Sequence, residues 1–317
     1  MTPDFFWYNI RMFATLALLC SLAFAESKTL ALQISLDQAG FSCNTIDGVW
    51  GGKSQRALER YCRSRNVGLP ATAEEAYDSL FADKEDLFRI EAVTQEDLDS
   101  LTPMPKTPAE KAKLPAMNYG SIREMFAERG HLSLRALERM NPGVDWNNVT
   151  AGLKLVIPNF PSADEELSAW PRRPRGPKRP VAALVRVSLS RLEISVLDEG
   201  GREIALFPCS IARNKANRPP TGELKIVGPI ARPNYTYTPD FVPRGKKAEK
   251  FILPPGPRCP VGIAWLGLNL PTYGIHGTPK PETIGCAESH GCFRLANWNA
   301  ARLYAMVKPG TRVLIEQ

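Results

Sequence analysis

The feature that most constrains the fold is a series of short strand-like stretches between Val181 and Gln317. Within each stretch, apolar residues alternate with polar ones or form a short apolar run, and turn-forming residues separate the stretches. The predicted strands are Ala182–Ser188, Leu192–Leu197, Glu203–Ser210, Glu223–Val227, Ile263–Leu268 and Arg312–Glu316. Only one helix, Asn297–Val307, is predicted in this region. Many short strands with few helices predict a β-sandwich or barrel-like domain.

The chain before residue 160 has a different pattern, which is typical of small, mostly helical modules. Helical spacing of apolar residues predicts helices at 30–39, 54–63, 121–129 and 133–140, and a strand at 153–157. A length of 317 residues predicts about two domains. The chain is therefore predicted to be multidomain, with a mainly β C-terminal domain after small helical modules.

Shifts in composition divide the chain further. Residues 160–180 are rich in Pro and Arg, which predicts a stiff basic linker. Residues 71–115 are acidic and polar and contain scattered prolines, which predicts short helices and linkers. The predicted segments are a signal peptide at 1–25, a helical module at 28–70, a linker at 71–115, a second segment at 116–159, a linker at 160–180 and the C-terminal domain at 181–317.

Residues 1–25 have the features of a secretory signal peptide. Arg11 precedes an uncharged run from Met12 to Ala25, which ends in an Ala-x-Ala cleavage pattern. The run is shorter than the roughly 20 residues that a membrane-spanning helix needs. Cleavage after Ala25 is expected, with an uncleaved anchor as the alternative. The protein is therefore expected in the periplasm or cell envelope.

Export implies an oxidising compartment, so the cysteines are first interpreted as disulfide candidates. Cys43 and Cys62 fall in one small N-terminal unit and are the expected pair. A further pair among Cys209, Cys259 and Cys286 is open, because the sequence does not say which two would join.

The charge is uneven along the chain. The net charge is +7, and from Val181 onward 18 Lys and Arg stand against 10 Asp and Glu, a difference of +8. A basic surface is compatible with nucleic acid, but export argues against that partner. It also suits an anionic cell-wall polymer, which it would attract electrostatically.

The stretch from Tyr273 to Leu295 holds the residues best suited to chemistry. It contains His276, His290 and Cys292, and several glycines punctuate it. Free cysteine has a pKa of roughly 8.5 and attacks as the thiolate, so a nucleophilic Cys292 needs a base. His276 can accept the thiol proton and later deliver it to a leaving amine. A backbone carbonyl is expected to fix the imidazole tautomer, since no acidic residue flanks His276.

The residues around Cys292 are expected to support the reaction. The amides of Gly291 and Cys292 can point at a developing oxyanion, and His290 either assists it or is a loop histidine satisfied by the backbone. Arg294 either pairs with a substrate carboxylate or braces the loop. Gly277 and Ser289 complete the candidate site, together with the hydroxyl of Thr278, whose expected role is to shape the loop.

These residues resemble the signature of the L,D-transpeptidase catalytic domain, the YkuD-like family. The match consists of His276-Gly277-Thr278 followed by Ser289-His290-Gly291-Cys292-Phe293-Arg294. Supporting elements are an opening strand at 184–188, a Pro-Thr-Gly step at 220–222 and a closing strand at 310–313. The resemblance covers about Val181 to Gln317. One departure is Cys259, which stands where the family usually has Asn in a Gly-Pro-x-Asn-Pro-x-Gly run.

Two N-terminal segments carry weaker resemblances. Residues 30–65 resemble a peptidoglycan-binding helical module, with Tyr61-Cys62 in place of its usual final aromatic-Gln. The alternative is a small helical domain with no binding role. Residues 116–159 end like a LysM glycan-binding repeat, although its opening strand is poorly matched. His131 is expected to cap or pack there rather than to act in catalysis.

The resemblance implies a cysteine-dependent L,D-transpeptidase that needs no cofactor. Cys292 would attack a tetrapeptide stem of peptidoglycan and form a thioester, and a second stem would resolve it into a 3→3 cross-link. The same intermediate could instead meet an amine of an envelope lipoprotein, or water, as in an L,D-carboxypeptidase. The expected partners are stem peptides and glycan, with no nucleic acid.

Two functions of other classes remain open. Potential soft-metal ligands are His276, Cys286, His290 and Cys292, but their C-x3-H-x-C spacing matches no common zinc arrangement. The second alternative is a non-catalytic wall-binding protein in which the N-terminal modules carry the function.

Overall fold

The computed structural model describes residues 27–168, 181–239, 249–289 and 291–317. The predicted signal peptide and most of the predicted linker at 160–180 lie outside these residues. Within the described ranges, no helix is both long and apolar enough to cross a membrane. The chain divides into two compact units, which are described separately. The first contains residues up to 39, 45–99 and 121–160, and the second contains 40–44, 100–120 and 161–317.

The first unit is mostly helical, as predicted. Its helices are Lys28–Gln38, Gly52–Arg65, Ala73–Leu80, Gln95–Ser100 (whose last residue belongs to the second unit), Ile122–Arg129 and Leu134–Met140. Its strands are β1 (Phe88–Ala92) and β2 (Lys154–Pro158), which pair antiparallel from Phe88 opposite Pro158 to Ala92 opposite Lys154. The four helices and the strand at 153–157 predicted here are confirmed to within two residues at each end.

Gln33 organises the turn between the first two helices. Its amide nitrogen donates to the carboxylate of Asp47 (3.1 Å), and its amide oxygen accepts from the backbone N–H of Gly48 (2.8 Å). The side chain is 1% exposed, so these bonds satisfy a polar group that burial would otherwise penalise. The Asp-Gly turn therefore has a buried anchor on the first helix.

Strand β1 was not predicted, because it lies within the segment interpreted as a linker at 71–115. Its residues are at most half-buried, and Ile90 is 70% exposed, so the apolar alternation that marks a strand is weak. Its pairing with β2 supplies the opening strand that residues 116–159 lack. Within the first unit, the result is a strand, three helices and a second strand, and the LysM-like interpretation of residues 116–159 stays a prediction.

His131 is a packing residue, as expected. Its Nδ1 lies 3.0 Å from Oδ1 of Asp37, and its ring stacks on Phe160 with centroids 4.0 Å apart and planes 8° apart. Both His131 and Asp37 are buried. The histidine therefore holds the first helix against the end of β2 and has no part in the candidate active site.

The second unit is mainly β, which confirms the predicted fold class. Its strands are β3 (Leu184–Ser188), β4 (Glu193–Leu197), β5 (Glu203–Pro208), β6 (Ile211–Ala212), β7 (Gly222–Ala231), β8 (Tyr235–Tyr237), β9 (Phe251–Leu253), β10 (Ala264–Leu268), β11 (Gly274–His276), β12 (Ala287–Ser289), β13 (Phe293–Arg294) and β14 (Arg312–Glu316). Its helices are Pro108–Lys111, Ala163–Ser168 and Asn297–Met306, with 3-10 turns at Lys215–Asn217 and Pro281–Thr283. All six strands and the helix predicted after Val181 are confirmed.

Eight of these strands form one mixed sheet in the order β13-β11-β10-β7-β14-β3-β4-β5. The first predicted hairpin is the antiparallel pair β3–β4, and β14 closes the sheet between β3 and β7. Strands β6 and β12 form a separate parallel pair, and β8 pairs with β9. Buried side chains from the large sheet and from helix Asn297–Met306 form the main apolar core.

Residues 40–44 cover the edge of the sheet at β5. Phe41 is fully buried and bridges to Leu206, and the N–H of Ser42 donates to the Leu206 carbonyl (2.9 Å). This pairing gives hydrogen-bond partners to a strand edge that would otherwise be open to another chain. The short segment therefore belongs to the second unit although it follows the first helix of the first unit.

The predicted Cys43–Cys62 disulfide is wrong for this structure, which holds both residues as buried thiols. Cys43 lies in the 40–44 segment that pairs with β5, whereas Cys62 lies on the helix Gly52–Arg65 of the first unit. Their closeness in sequence therefore does not place them in one module. The further pair proposed among Cys209, Cys259 and Cys286 is not formed in the described residues either.

Candidate active site

Two neighbouring strands bring the predicted nucleophile and base to one face of the sheet. Strands β11 and β13 are parallel, with Ile275 opposite Phe293 and His276 opposite Arg294. Successive side chains on a strand point to opposite faces. Ile275 and Phe293 are fully buried in the apolar core, so His276 and Arg294 point to the other face, and so does Cys292.

A cavity of about 720 Å³ lies over this face of the second unit. Four predicted site residues line it, namely His276, Gly291, Cys292 and Arg294. The other lining residues are Asn217, Tyr235, Tyr237, Pro260, Val261, Trp265, Thr272 and Tyr273. The structure therefore places the proposed thiol and the proposed base in one cavity, beside an aromatic wall that the sequence did not reveal.

His276 is held as a neutral imidazole with a defined tautomer. Its Nδ1 donates to the carbonyl oxygen of Gly277 (2.7 Å), so Nε2 keeps the lone pair that can accept a proton. The ring is buried and stacks on Trp265, with centroids 5.5 Å apart and planes 19° apart. The pKa of His276 is lowered to about 4, mainly by burial and to a smaller extent by the positive charge of Arg294, while the hydrogen bond to the Gly277 carbonyl opposes the change.

Cys292 is half-buried and also neutral at rest. Its Sγ donates to the carbonyl oxygen of Thr272 (3.4 Å). Burial raises the pKa of the thiol, and a backbone hydrogen bond from Gly274 opposes the rise. Because the thiol pKa is raised while the His276 pKa is lowered, the resting pair is thiol and imidazole rather than thiolate and imidazolium.

Arg294 braces the backbone of the site and adds charge to it. Its N–H donates to the carbonyl of Ser210, and its carbonyl accepts from the N–H of Ser210, both at 2.9 Å. Its side chain lines the cavity, and its charge acts on the pKa of His276. A backbone that braces the loop and a side chain that lines the cavity therefore coexist in the same residue.

The remaining predicted residues lie along the same loop. Thr278 is buried, and its hydroxyl accepts from the N–H of Lys280 (3.3 Å), which agrees with a loop-shaping role. The backbone of Ser289 is the end of β12, and His290 lies outside the described residues. Gly277 contributes its carbonyl to His276 and packs against Asn297, whose Nδ2 donates to the carbonyl of Pro257 (3.0 Å).

Trp265 and Tyr273 are site residues that the sequence analysis missed. Trp265 lies opposite His276 in the β10–β11 register, which explains why the indole can cover the imidazole. The hydroxyl of Tyr273 donates to the carbonyl of Asn217 (3.0 Å), and its ring lies close to Gly291. Their aromatic character next to the motif was a usable signal, but only the three-dimensional structure shows that both line the cavity.

The loop that departs from the family pattern borders the cavity through Pro260 and Val261. Cys259 is fully buried behind it, and its Sγ donates to the carbonyl oxygen of Pro233 (3.7 Å). Burial raises the pKa of this thiol to about 11, so it is a poor nucleophile. Cys259 therefore supports the loop from behind rather than facing the cleft.

The described residues contain no group of three or more His, Cys, Asp or Glu side chains that could hold a metal ion. Of the proposed metal ligands, Cys286 is exposed, and His290 is not among the described residues. Stoichiometric zinc in purified protein, with activity lost to a chelator, would favour the metal-site alternative over the thiol.

The depressed pKa of His276 predicts a low acid limit for activity. We expect kcat/KM to stay high down to about pH 4, because the imidazole remains a neutral base above its pKa of about 4. Folding stability should also fall as the pH drops from 6.5 toward 4, where the unfolded chain binds the proton more readily than the folded chain. NMR titration of labelled histidine, assigned with a His276→Gln variant, measures this pKa. A midpoint near 6.5 would contradict the burial argument.

Gly274→Ala should disturb the imidazole through Trp265. A Cβ on Gly274 would lie 2.6 Å from the nearest indole atom of Trp265 and below 3.0 Å from two others, so the ring must shift from the position in which it stacks on His276. We expect a loss of about 1–3 kcal/mol in unfolding free energy, typical of overpacking, and at least about a tenfold loss of kcat/KM. Gly228→Ala, on β7 with no atom within 4 Å of the new Cβ, is the control. Equal activity in both variants would exclude a role for the Trp265 stack.

Comparison with known proteins gives consistent similarity over this unit. Residues 182–315 match the YkuD family model, described as the L,D-transpeptidase catalytic domain. The chain is 28% identical over 196 residues to the protein named L,D-transpeptidase YkuD from Bacillus licheniformis, covering 62% of this chain and 94% of that protein. It is 26% identical over 193 residues to the L,D-transpeptidase named YbiS from Escherichia coli, covering 60% and 58%.

Solved structures of L,D-transpeptidases are also similar to the chain. An L,D-transpeptidase from Mycobacterium smegmatis aligns with a TM-score of 0.34 and 17% identity, covering 42% of this chain and 58% of that one. The catalytic domain of the Enterococcus faecium L,D-transpeptidase, solved by NMR as an ertapenem adduct, aligns with a TM-score of 0.33 and 19% identity, covering 44% and 100%.

Proposed function

Because residues 182–315 of this chain form an L,D-transpeptidase catalytic domain of the YkuD family, we propose that Cys292 is its nucleophile and that the substrate is a peptidoglycan stem. The donor is a tetrapeptide stem, and Cys292 attacks the carbonyl that follows its third residue. The terminal D-alanine leaves, and a thioester acyl-enzyme remains. The product is a 3→3 cross-link when a second stem accepts the acyl group.

The observation that carries this proposal is the state of His276 beside Cys292 in one cavity. The bond from Nδ1 to the Gly277 carbonyl leaves Nε2 as the proton acceptor, and the low pKa keeps it unprotonated at neutral pH. The thiol lines the same cavity and carries its own proton. The pair therefore has a proton to give and a base to receive it, which nucleophilic catalysis by a thiol requires.

The reaction proceeds by proton transfer during attack. The S–H of Cys292 turns from the Thr272 carbonyl to Nε2 of His276, and Sγ bonds to the substrate carbonyl carbon as the proton moves to Nε2. The N–H groups of Gly291 and Cys292 hold the resulting oxyanion, and each such donor is typically worth about 3 kcal/mol. Collapse breaks the C–N bond, and the imidazolium returns its proton to the departing D-alanine amine.

Resolution of the thioester repeats these steps in reverse. The amine of a second stem attacks the thioester carbonyl and gives a proton to His276. The C–S bond then breaks, and the imidazolium returns the proton to Sγ of Cys292. Arg294, at the edge of the cavity, pairs with a carboxylate of the stem through its guanidinium. The excess of basic residues after Val181 attracts the anionic polymer to this unit.

The rest of the chain brings this activity to the cell wall. The signal peptide at 1–25 exports the protein to the cell envelope, and the N-terminal modules bind glycan or stem peptides. An envelope lipoprotein with a free amine is an alternative acceptor, and water would make the protein an L,D-carboxypeptidase. Each acceptor attacks the same thioester, so these outcomes differ only in the product.

The test is to incubate the purified protein with tetrapeptide muropeptides and to separate the products. Release of D-alanine together with a 3→3-linked dimer is expected. Tripeptide without a dimer would replace the cross-linking proposal with carboxypeptidase activity. Binding to sacculi with no change in the muropeptide profile would overturn the enzymatic proposal and favour a wall-binding protein.

A further inference from the structure

Residues 100–120 lie outside the matched catalytic domain, yet they belong to the second unit. The two ends of this segment are joined by hydrogen bonds. Nδ2 of Asn118 donates to the carbonyl of Ser100 (3.1 Å), and the N–H of Thr102 donates to the carbonyl of Tyr119 (2.9 Å). The segment is therefore a loop whose two ends are joined, and in sequence it lies between two parts of the first unit. We call residues 100–120 the brace.

The brace pairs with the loop behind the active-site cavity through Met117. The N–H of Met117 donates to the carbonyl of Pro255 (2.8 Å), and the Met117 carbonyl accepts from the N–H of Arg258 (3.0 Å). Gly256 lies between these bonds with φ +144°, and a Cβ there would be 2.3 Å from the Met117 carbonyl oxygen. The contact thus requires glycine at this position, so the loop is shaped to receive the brace.

The Met117 side chain is the centre of a small apolar cluster. It is 2% exposed and packs with Leu253, Cys259 and Val261, which are also buried. Partly buried aromatic residues pack against this cluster, namely Tyr235, Tyr237, Phe251 and Trp265.

The aromatic wall of the active-site cavity rests on this cluster. Tyr235, Tyr237 and Trp265 line the cavity as well as packing on the cluster. Tyr235 and Tyr237 are two residues apart on β8, so both present their rings on one side of the β8–β9 hairpin. Helix Pro108–Lys111 of the brace also contacts β9.

We propose that the brace is a working part of the active site and that Met117 is a positioning residue for the donor substrate. Met117 does not line the cavity. It holds the hairpin and the loop at 255–261 so that Tyr235 and Tyr237 form a rigid wall against which the donor binds. The contact between the brace and the aromatic wall follows from the geometry alone. Only the identity of the donor substrate rests on the proposed function.

This role predicts an effect on binding more than on chemistry. His276 lies on β11 of the large sheet and Cys292 directly precedes β13 of the same sheet, so both are expected to keep their positions when the separate β8–β9 pair loosens, whereas the wall is displaced. Loss of contacts made equally with bound substrate and transition state raises KM and leaves kcat unchanged. Substitution of a purely structural residue would lower the amount of folded protein and would not raise KM selectively over kcat.

The first experiment measures the mobility of the wall in the full-length chain. Met117→Ala is expected to speed hydrogen exchange of the amides in 251–262 by about tenfold or more, because local opening no longer breaks a packed cluster. Met125→Ala is the matched control, since Met125 is 3% exposed on a helix of the first unit. Exchange in 251–262 that is unchanged in Met117→Ala, or equally faster in Met125→Ala, would overturn the proposal.

The second experiment measures donor kinetics with the same variants. Met117→Ala is expected to raise the KM for the tetrapeptide donor about tenfold with kcat within about twofold, and Met117→Leu should restore KM because it conserves volume. Gly256→Ala should reproduce the KM increase by pushing the brace away. An unchanged KM, or a loss confined to kcat, would refute the positioning role. If the wild-type protein showed no transpeptidation at all, the proposed function would be refuted. The hydrogen-exchange experiment would then decide by itself whether the brace holds the wall.

Discussion

Replacing Cys292 by alanine is expected to abolish the acyl-enzyme and to lower the rate of D-alanine release by at least about a thousandfold. Among the described residues that line the cavity, Cys292 is the one thiol. Cys259 is fully buried and its pKa is raised to about 11, and Cys209 is buried with a pKa raised further by the same cause. Intact-protein mass spectrometry after incubation with a tetrapeptide donor measures the adduct directly.

The matched control is Cys286→Ala. Cys286 is exposed and precedes Cys292 by six residues, and it does not line the cavity. Its substitution therefore removes a thiol from the same segment without changing a residue of the cavity. This variant should form the adduct as the unmodified protein does. A covalent donor adduct on Cys292→Ala, or an adduct lost only in Cys286→Ala, would rule out the mechanism proposed for this site.

His276→Gln should slow acylation by about a hundredfold to ten-thousandfold, the range typical of losing a general base. Glutamine is close in size to histidine and can stay under Trp265, but it has no nitrogen that takes a proton near neutral pH. The neutral thiol of Cys292 would then have to ionise without help against the burial that raises its pKa. Single-turnover acylation followed by mass spectrometry gives the rate of this step.

His131→Gln separates a chemical effect from a structural one. His131 is also a buried histidine with a bond to a neighbouring group, but it lies in the first unit and packs on Phe160. We expect it to lower thermal stability and to leave the acylation rate of the folded protein unchanged. An acylation rate for His276→Gln within tenfold of the wild type would mean that another group takes the thiol proton.

Local patterns accounted for most of the secondary structure and for the chemistry of the site. The β3–β4 hairpin, β14 and helix Asn297–Met306 follow from alternation, turn residues and helical spacing, which act over a few residues. His276 and Cys292 stand out because glycines surround them and few other histidines exist in the chain. Their residue types make them candidates for a base and a nucleophile.

Contacts between distant segments accounted for what the patterns missed. Strand β1 has a weak alternation of its own and is a strand because β2 pairs with it. Cys43 follows the first helix by a few residues, yet the backbone pairing of 40–44 with β5 commits it to the second unit. Trp265 and Tyr235 line the cavity only because strand register and hairpin packing direct them there.

By itself, the sequence determined the kinds of strands and helices, the family of the C-terminal unit and the candidates for the reacting pair, because propensity and side-chain chemistry are local properties. The tertiary structure decided the protonation state of that pair, since desolvation around His276 and Cys292 depends on neighbours far away along the chain. It also decided that Met117, some 140 residues before the loop it contacts, packs in the buried cluster behind the aromatic residues that line the cavity. Such a contact is set by the packing of the whole unit, and no window of sequence contains it.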